Sequence, residues 1–491
     1  MAGPPKGNPH PAPVWVAVAT VFAMVGGMPG TFLRRALPAV MLTLAPNLAL
    51  AAEPGEPIGL LWGLPFAGLL LSIALGPLLA ERLWHKRMGL IAGGWGLALL
   101  LPWMVAFGPA AAAGLAWHAV LLEYLPFVAL IFALFTVGGG IVVQGGPWGT
   151  PAGNTVLLAI GTLLASLMGT TGAAMVLIHP LLRANAHRTR KVHLVVFFIL
   201  LVANVGGSLT PLGDPPLFLG FLRGVPFLWP GLNLIAPMAV VAGLLLLAFW
   251  LLDRHLAGTE PAAPEGRPLR LRGWPNIGLL GLVVLVVLMQ GLWQPGPVTL
   301  LGQAIGLERL IGMVLLGLIG LVSLRLTPLS SHEANMFSWA PFAEVAKLFA
   351  AIFVTMAPMI GILHQGAAGP LGGLLALTTG VDGQPLPAAY FWLTGGLSAF
   401  LDNAPTYVVF FELAGGDPAR LTGELSRVLL AISAGSVFMG ALTYIGNAPN
   451  FMVRAIAARR GVHMPGFIGF MGWSLVLMLP PLGLVTLLFF L

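Results

Sequence analysis

The sequence predicts an all-α polytopic membrane protein built from two inverted-topology repeats, each with a re-entrant helical hairpin and a broken transmembrane helix. Three observations lead there. Hydrophobic residues make up 58% of the chain and charged residues 8%, whereas soluble domains average about a quarter charged. A polar interruption occurs twice inside strongly apolar sequence, at Asn204-Val205-Gly206-Gly207-Ser208-Leu209-Thr210-Pro211-Leu212-Gly213-Asp214-Pro215-Pro216 and at Gly440-Ala441-Leu442-Thr443-Tyr444-Ile445-Gly446-Asn447-Ala448-Pro449-Asn450. Finally, Arg and Lys cluster in short loops between apolar runs of about 20 residues, the length that crosses a hydrocarbon core as helix.

The charge balance narrows the partners. A net charge of +7 could suggest nucleic acid, but the basic residues sit in inter-helix loops, which is the positive-inside pattern. The expected partners are therefore the lipid bilayer and small ions or small carboxylates, with no nucleic acid, in a multi-pass protein of a bacterial-type inner (plasma) membrane. The chain has no cysteine, so an ion site must use oxygen or imidazole ligands. No cofactor is expected beyond transported sodium and protons.

Taken in order, residues 1–52 read as an N-terminal extension with a signal peptide: Arg34-Arg35 precedes an apolar run and a small-residue site at Ala49-Leu50-Ala51, although an ordinary first transmembrane helix fits the same run. Apolar spans follow at 58–80, 88–108 and 119–138, and the loop Arg82 to Arg87 marks the cytoplasmic side. The basic loop Arg183 to His193 must lie on that same side, so 153–180 should enter and leave by one face. Two half-helices of about 11 to 13 residues turning at Gly169-Thr170-Thr171-Gly172 satisfy this. Spans 194–222 and 232–252 complete a first repeat over 53–255, and a Pro-, Gly- and Arg-rich linker occupies 256–274. The second repeat, 275–491, has spans at 275–293, 310–324, 341–363, 428–452 and 467–490. Its run 390–413 is a hairpin entered from the opposite face, with its tip at Leu401-Asp402-Asn403-Ala404-Pro405.

Residue matches support the duplication. Glu123 to Gly145 aligns without gaps on Glu344 to Gly366, matching at Glu, Ala, Ile, Phe, Gly, Ile, Gln and Gly. The hairpin tips pair Thr170 with Asp402 at a spacing of 232, and the breaks pair Asp214 with Asn447 at 233. Paired broken helices in one membrane chain point to transport.

The side chains suggest what is moved. A carboxylate at membrane depth costs about 2.5–3.5 kcal/mol on insertion scales, so Asp214 and Asp402 are expected to serve an ion, meeting near the midplane as ligands for sodium or a proton. Thr170, Thr171, Asn204, Thr210, Asn403, Thr406, Thr443 and Asn447 would complete the shell. The competing readings are helix caps, above all for Asp214 in Gly-Asp-Pro-Pro and for Asn447. Glu123 and Glu344 read as interfacial caps at span starts, and His179, His364 and Glu412 as interfacial residues. Arg223 and Arg454 are expected at the surface. His332-Glu333 lacks the second His of a zinc-protease helix, because position 336 is Met. An intramembrane aspartyl protease would need Gly-x-Gly-Asp where residues 211–214 read Pro-Leu-Gly-Asp.

These motifs, with Ser398-Ala399-Phe400-Leu401-Asp402-Asn403 and Ile445-Gly446-Asn447-Ala448-Pro449-Asn450, resemble the ion transporter superfamily over residues 58–490. The similarity is greatest to its citrate-transporter branch and to NhaD-like sodium/proton antiporters. The resemblance implies inverted repeats, a site between hairpin tips and broken helices, alternating access and a scaffold that often forms a homodimer. Many antiporter-like relatives carry Asp-Asn in both hairpins, whereas this chain has Thr170-Thr171 in the first. The leading expectation is a secondary active sodium(cation)/proton antiporter rather than an enzyme. A sodium- or proton-coupled citrate or dicarboxylate transporter is the main alternative, with an arsenite-type exporter behind it.

Overall fold

Apolar runs of membrane-spanning length leave the backbone one stable choice, because a helix satisfies every amide internally. The structure, a computed structural model, describes residues 58–261 and 267–491; the expected signal peptide lies outside them. Among the described residues nine helices are long and apolar enough to cross a membrane. The protein is a multi-pass helical membrane protein.

The helices are α1 (Leu64–Leu79), α2 (Glu81–Phe107), α3 (Pro109–His118) and α4 (Leu125–Gly139). A π-helical turn at Ala119–Tyr124 joins the last two into one continuous element. Next come α5 (Pro151–Met168), α6 (Thr170–Ala184), α7 (Val192–Leu201), α8 (Pro215–Leu222) and α9 (Trp229–Ala257). The later part holds α10 (Trp274–Leu292), α11 (Leu307–Leu326), α12 (Ala340–Leu363), α13 (Pro387–Phe400), α14 (Asn403–Leu413), α15 (Ser426–Met439), α16 (Ala448–Arg459) and α17 (Phe467–Val485).

Both interruptions break a helix as expected. Between α7 and α8 only a short 3-10 turn, Val205–Ser208, remains, and between α15 and α16 only Gly440–Leu442. Glycine is required here because the chain folds back on itself. A Cβ on Gly213 would stand 2.2 Å from the Gly207 carbonyl oxygen, and one on Gly446 would stand 2.6 Å from that of Gly440.

Both runs that should not cross are paired helices. In the first, α5 and α6 pack together around Gly169, whose φ of 78° favours glycine. These helices have 18 and 15 residues, longer than the half-helices expected, and α5 alone has the length and hydropathy of a span. The reason is that the sequence continues apolar back to Pro151, where Thr150 caps the helix by accepting from the Gly153 amide. The second pair, α13 and α14, has 14 and 11 residues. Two small antiparallel sheets were not foreseen. β1 (Val142–Gly146) pairs with β2 (Arg267–Arg272), so part of the interdomain linker is strand, and β3 (Pro297–Leu300) pairs with β4 (Gln303–Gly306).

Packing does not follow the order of the sequence. One group joins α1, α2, the α3–α4 element, α10, α11 and α12; the other joins both helix pairs, both broken helices, α9 and α17. Each group draws on both halves of the chain. The second is anchored at its basic end by buried Asp253 of α9, which accepts from Arg188, from His193 Nε2 at 2.9 Å and from Asn154 Nδ2 at 3.0 Å. The Arg188 and Asp253 side chains are 2% and 0% exposed. Replacing Asp253 with Asn strands a buried guanidinium, so we expect a loss of about 3–5 kcal/mol, read as a lower thermal midpoint in detergent.

Candidate functional site

The site begins where helices start. At a helix start the first amides have no intrahelical partner and carry a partial positive charge. The starts of α6 at Thr170, α8 at Pro215, α14 at Asn403 and α16 at Ala448 converge because the two breaks lie against the two pair tips. Asp214, 2% exposed, sits at their meeting point. Its Oδ1 accepts from Thr170 Oγ1 at 3.1 Å and Asn447 Nδ2 at 3.1 Å, and its Oδ2 accepts from Asn403 Nδ2.

The competing cap reading, weighed most heavily for Asp214, applies instead to Asp402. Asp214 occupies a helix N-cap position, yet its side chain caps nothing and faces the three donors. Asp402 does act as a cap, accepting from the Ala404 amide at 3.1 Å. Both line one cavity of about 600 Å³, together with Thr170, Thr171 and Asn447. The cavity extends along α16 past Arg454 to Arg459, which is exposed.

The remaining candidates hold the backbone rather than the carboxylate. Thr210 Oγ1 donates to the Ser166 carbonyl and Thr443 Oγ1 to the Ala399 carbonyl, each across 44 residues. These matching ties fasten each break to its neighbouring pair. They also correct the pairing of the tips, since the 233-residue spacing that relates Asp214 to Asn447 relates Thr170 to Asn403. Both of those side chains donate to the same carboxylate. Thr406 Oγ1 returns to the Asp402 carbonyl at 3.0 Å.

Buried Asn204 joins the two breaks. Its Nδ2 donates to Asn450 Oδ1 at 2.7 Å, and its Oδ1 accepts from Asn447 Nδ2 at 3.3 Å. Asn450, which in turn donates to the Gly440 and Thr443 carbonyls, was not singled out from the sequence. Its signal was present as a second amide three residues after Asn447. Ser166 was also missed; it donates to the Gly206 carbonyl and accepts from the Leu209 amide. A lone serine in an apolar helix carries no such warning.

Three further expectations need correction, and one residue is placed more exactly. Arg223 is not a surface residue, because it ion-pairs with Glu123 and Glu412. Arg454 lines the cavity, its guanidinium 4.6 Å from the Tyr444 ring centre. Glu123 caps no helix, since the element containing it starts at Pro109. His179 is fully buried, with Nε2 3.0 Å from the Asn335 carbonyl oxygen.

Residues 55–490 match the family model described as "Putative citrate transport". The chain belongs to this family. The match spans both breaks and both helix pairs, so the citrate-transport family assignment rests on the whole membrane domain. With the helices described above, it makes the protein a citrate transporter-like secondary transporter. No curated protein matches the chain.

Proposed function

We propose that the protein is a cation/proton antiporter of the NhaD-like kind, exchanging sodium for protons by alternating access at Asp214 and Asp402. The observation that supports this is the donor set of Asp214. Among the described residues its hydrogen-bond donors are one hydroxyl and two amides, all neutral, and no Arg or Lys pairs with it. Its counter-charge must then come from a proton or a cation. Asn403 Oδ1, buried beside it without a hydrogen-bond partner among the described residues, adds a hard oxygen suited to sodium. A carboxylate that holds either ion, but not both, couples their movement.

Alternating access follows from an inverted repeat with re-entrant pairs. In support, loop charge puts Arg183 and Arg454 on one face, and equivalent ties recur in both halves. Cysteines at exposed Ala186 and Gln384 should label from opposite sides of the membrane. Labelling from a single side would sink the inverted topology.

A second reading, cation-coupled uptake of citrate or a similar carboxylate, is favoured by the family description and by Arg454 and Arg459 in the cavity. One assay separates the two. In proteoliposomes with an imposed pH gradient, adding sodium or lithium should dissipate the gradient under antiport. Asp402→Asn, which can still cap α14, should cut the response at least about tenfold, a change of roughly 1.4 kcal/mol. Accumulation of labelled citrate with no sodium-driven proton movement would overturn antiport.

A further inference from the structure

The interface between the two helix groups has unlike ends. At one end lies the cavity. At the other, Arg223 donates from Nε to Glu412 at 2.9 Å and from Nη2 to Glu123 at 3.1 Å, while His364 Nε2 lies 2.9 Å from the other Glu412 oxygen. The Arg223, Glu123 and Glu412 side chains are 10%, 20% and 8% exposed.

Two of these contacts cross between the groups. Glu123 belongs to the α3–α4 element and His364 follows α12, in one group; Arg223 follows α8 and Glu412 ends α14, in the other. The same two short helices also carry the site. Asp214 opens α8 and Arg223 closes it, across eight residues or about 12 Å. Asp402 opens α14, and Glu412 stands near its end. Displacing the acids along the interface must therefore pull Arg223 from Glu123 and Glu412 from His364.

We propose that Glu123, Arg223, Glu412 and His364 form a clasp that holds this end of the interface shut, and that it must part before the site can reach this face. The clasp rests on the alternating-access reading above. The repeat supports it, because Glu344, the sequence counterpart of Glu123, lines the open cavity with Arg454 at the opposite end.

His364 gives the clasp a pH dependence. Its hydrogen bond to Glu412 raises its pKa above the usual 6.5. The charged contact is fully present below that ordinary value and is lost as pH rises through the raised one. The charged groups around it are Glu412 and Arg223 from the site-bearing group, Glu123 from α3–α4, and Arg420 with Glu424 on the wall of the adjoining polar pocket.

The chain has no cysteine, so Met452→Cys provides a single reporter inside the cavity. In proteoliposomes, labelling by an impermeant maleimide added on the cavity side reports how often that end is open. Glu123→Gln and His364→Gln each remove one crossing contact, and each should slow labelling by at least about threefold as the population shifts to the closed cavity. Glu123→Asp, which keeps the charge, should restore the rate. Because maleimide reacts with the thiolate and so speeds up with pH in every variant, the readout is the ratio of parent to His364→Gln labelling, which should fall towards one as the pH is raised from 6 to 8. Unchanged labelling in both Gln variants overturns the clasp. Labelling does not depend on which ion moves, so a protein that shows the slowing but exchanges no sodium for protons would keep the clasp and lose the antiport reading.

Discussion

Asp214→Asn is expected to abolish exchange, with a loss of at least about a hundredfold, or roughly 3 kcal/mol, in sodium-driven dissipation of a pH gradient. The substitution keeps size and shape but removes the only charge among the four groups that meet there. It also turns an acceptor toward Thr170, Asn403 and Asn447 into an amide, half of which donates. One of the three partners must then turn to accept, as Asn403 can do through its unpartnered Oδ1, so the expected loss is in exchange rather than in stability. Folding and function must be separated, so the variant should be compared in size-exclusion profile and thermal midpoint with Asp402→Asn, whose acid lies half-buried on the cavity wall. A variant that folds and exchanges normally would remove Asp214 from the mechanism.

Gly213→Ala is the second large effect. Its Cβ would lie 2.2 Å from the Gly207 carbonyl oxygen and 2.7 Å from the carbonyl carbon. Backbone cannot swing aside as a flexible side chain can, so the break must open. Asp214 is the next residue, and the Thr170 amide donates to the Gly213 carbonyl at 2.9 Å. A shift of about 1 Å here would displace the acid and one donor together, with an expected loss of about a hundredfold in exchange and a lower thermal midpoint. Gly243→Ala is the control, because nothing lies within 4 Å of its added Cβ. Equal behaviour of the two variants would show that the break tolerates repacking.

The elements were legible because membranes exaggerate the relevant signals. Glycine, proline and amides inside apolar sequence marked both breaks, and basic clusters marked the loops between apolar runs. The helix grouping was not legible. Lipid tails are as apolar as leucine, so a hydrophobic face does not reveal whether it meets protein or lipid. Leu71 is 56% exposed and Leu69 0%, yet the sequence treats them alike. Ion pairs were hidden for a different reason: Arg223 finds Glu123 across 100 residues and Glu412 across 189. Which of Asp214 and Asp402 acts as a cap was not legible because each precedes a helix, and only the folded arrangement shows that three donors reach Asp214.

The amide contacts between the two breaks also bear on how the chain matures. Asn204 of the first half is satisfied by Asn450 and Asn447 of the second. Each half ties part of its break with its own side chains, Thr210 to the Ser166 carbonyl and Asn450 to the Gly440 and Thr443 carbonyls, but Asn204 and Asp214 are completed only across the halves. Until the second half is made, Asn204 has only its bond to the Ile199 carbonyl and Asp214 only the Thr170 hydroxyl, so the rest of their hydrogen-bonding capacity falls to water. Completion of the contacts around Asp214 is thus a late event in biogenesis, and a truncated chain ending at the linker would be left with an unfinished seam.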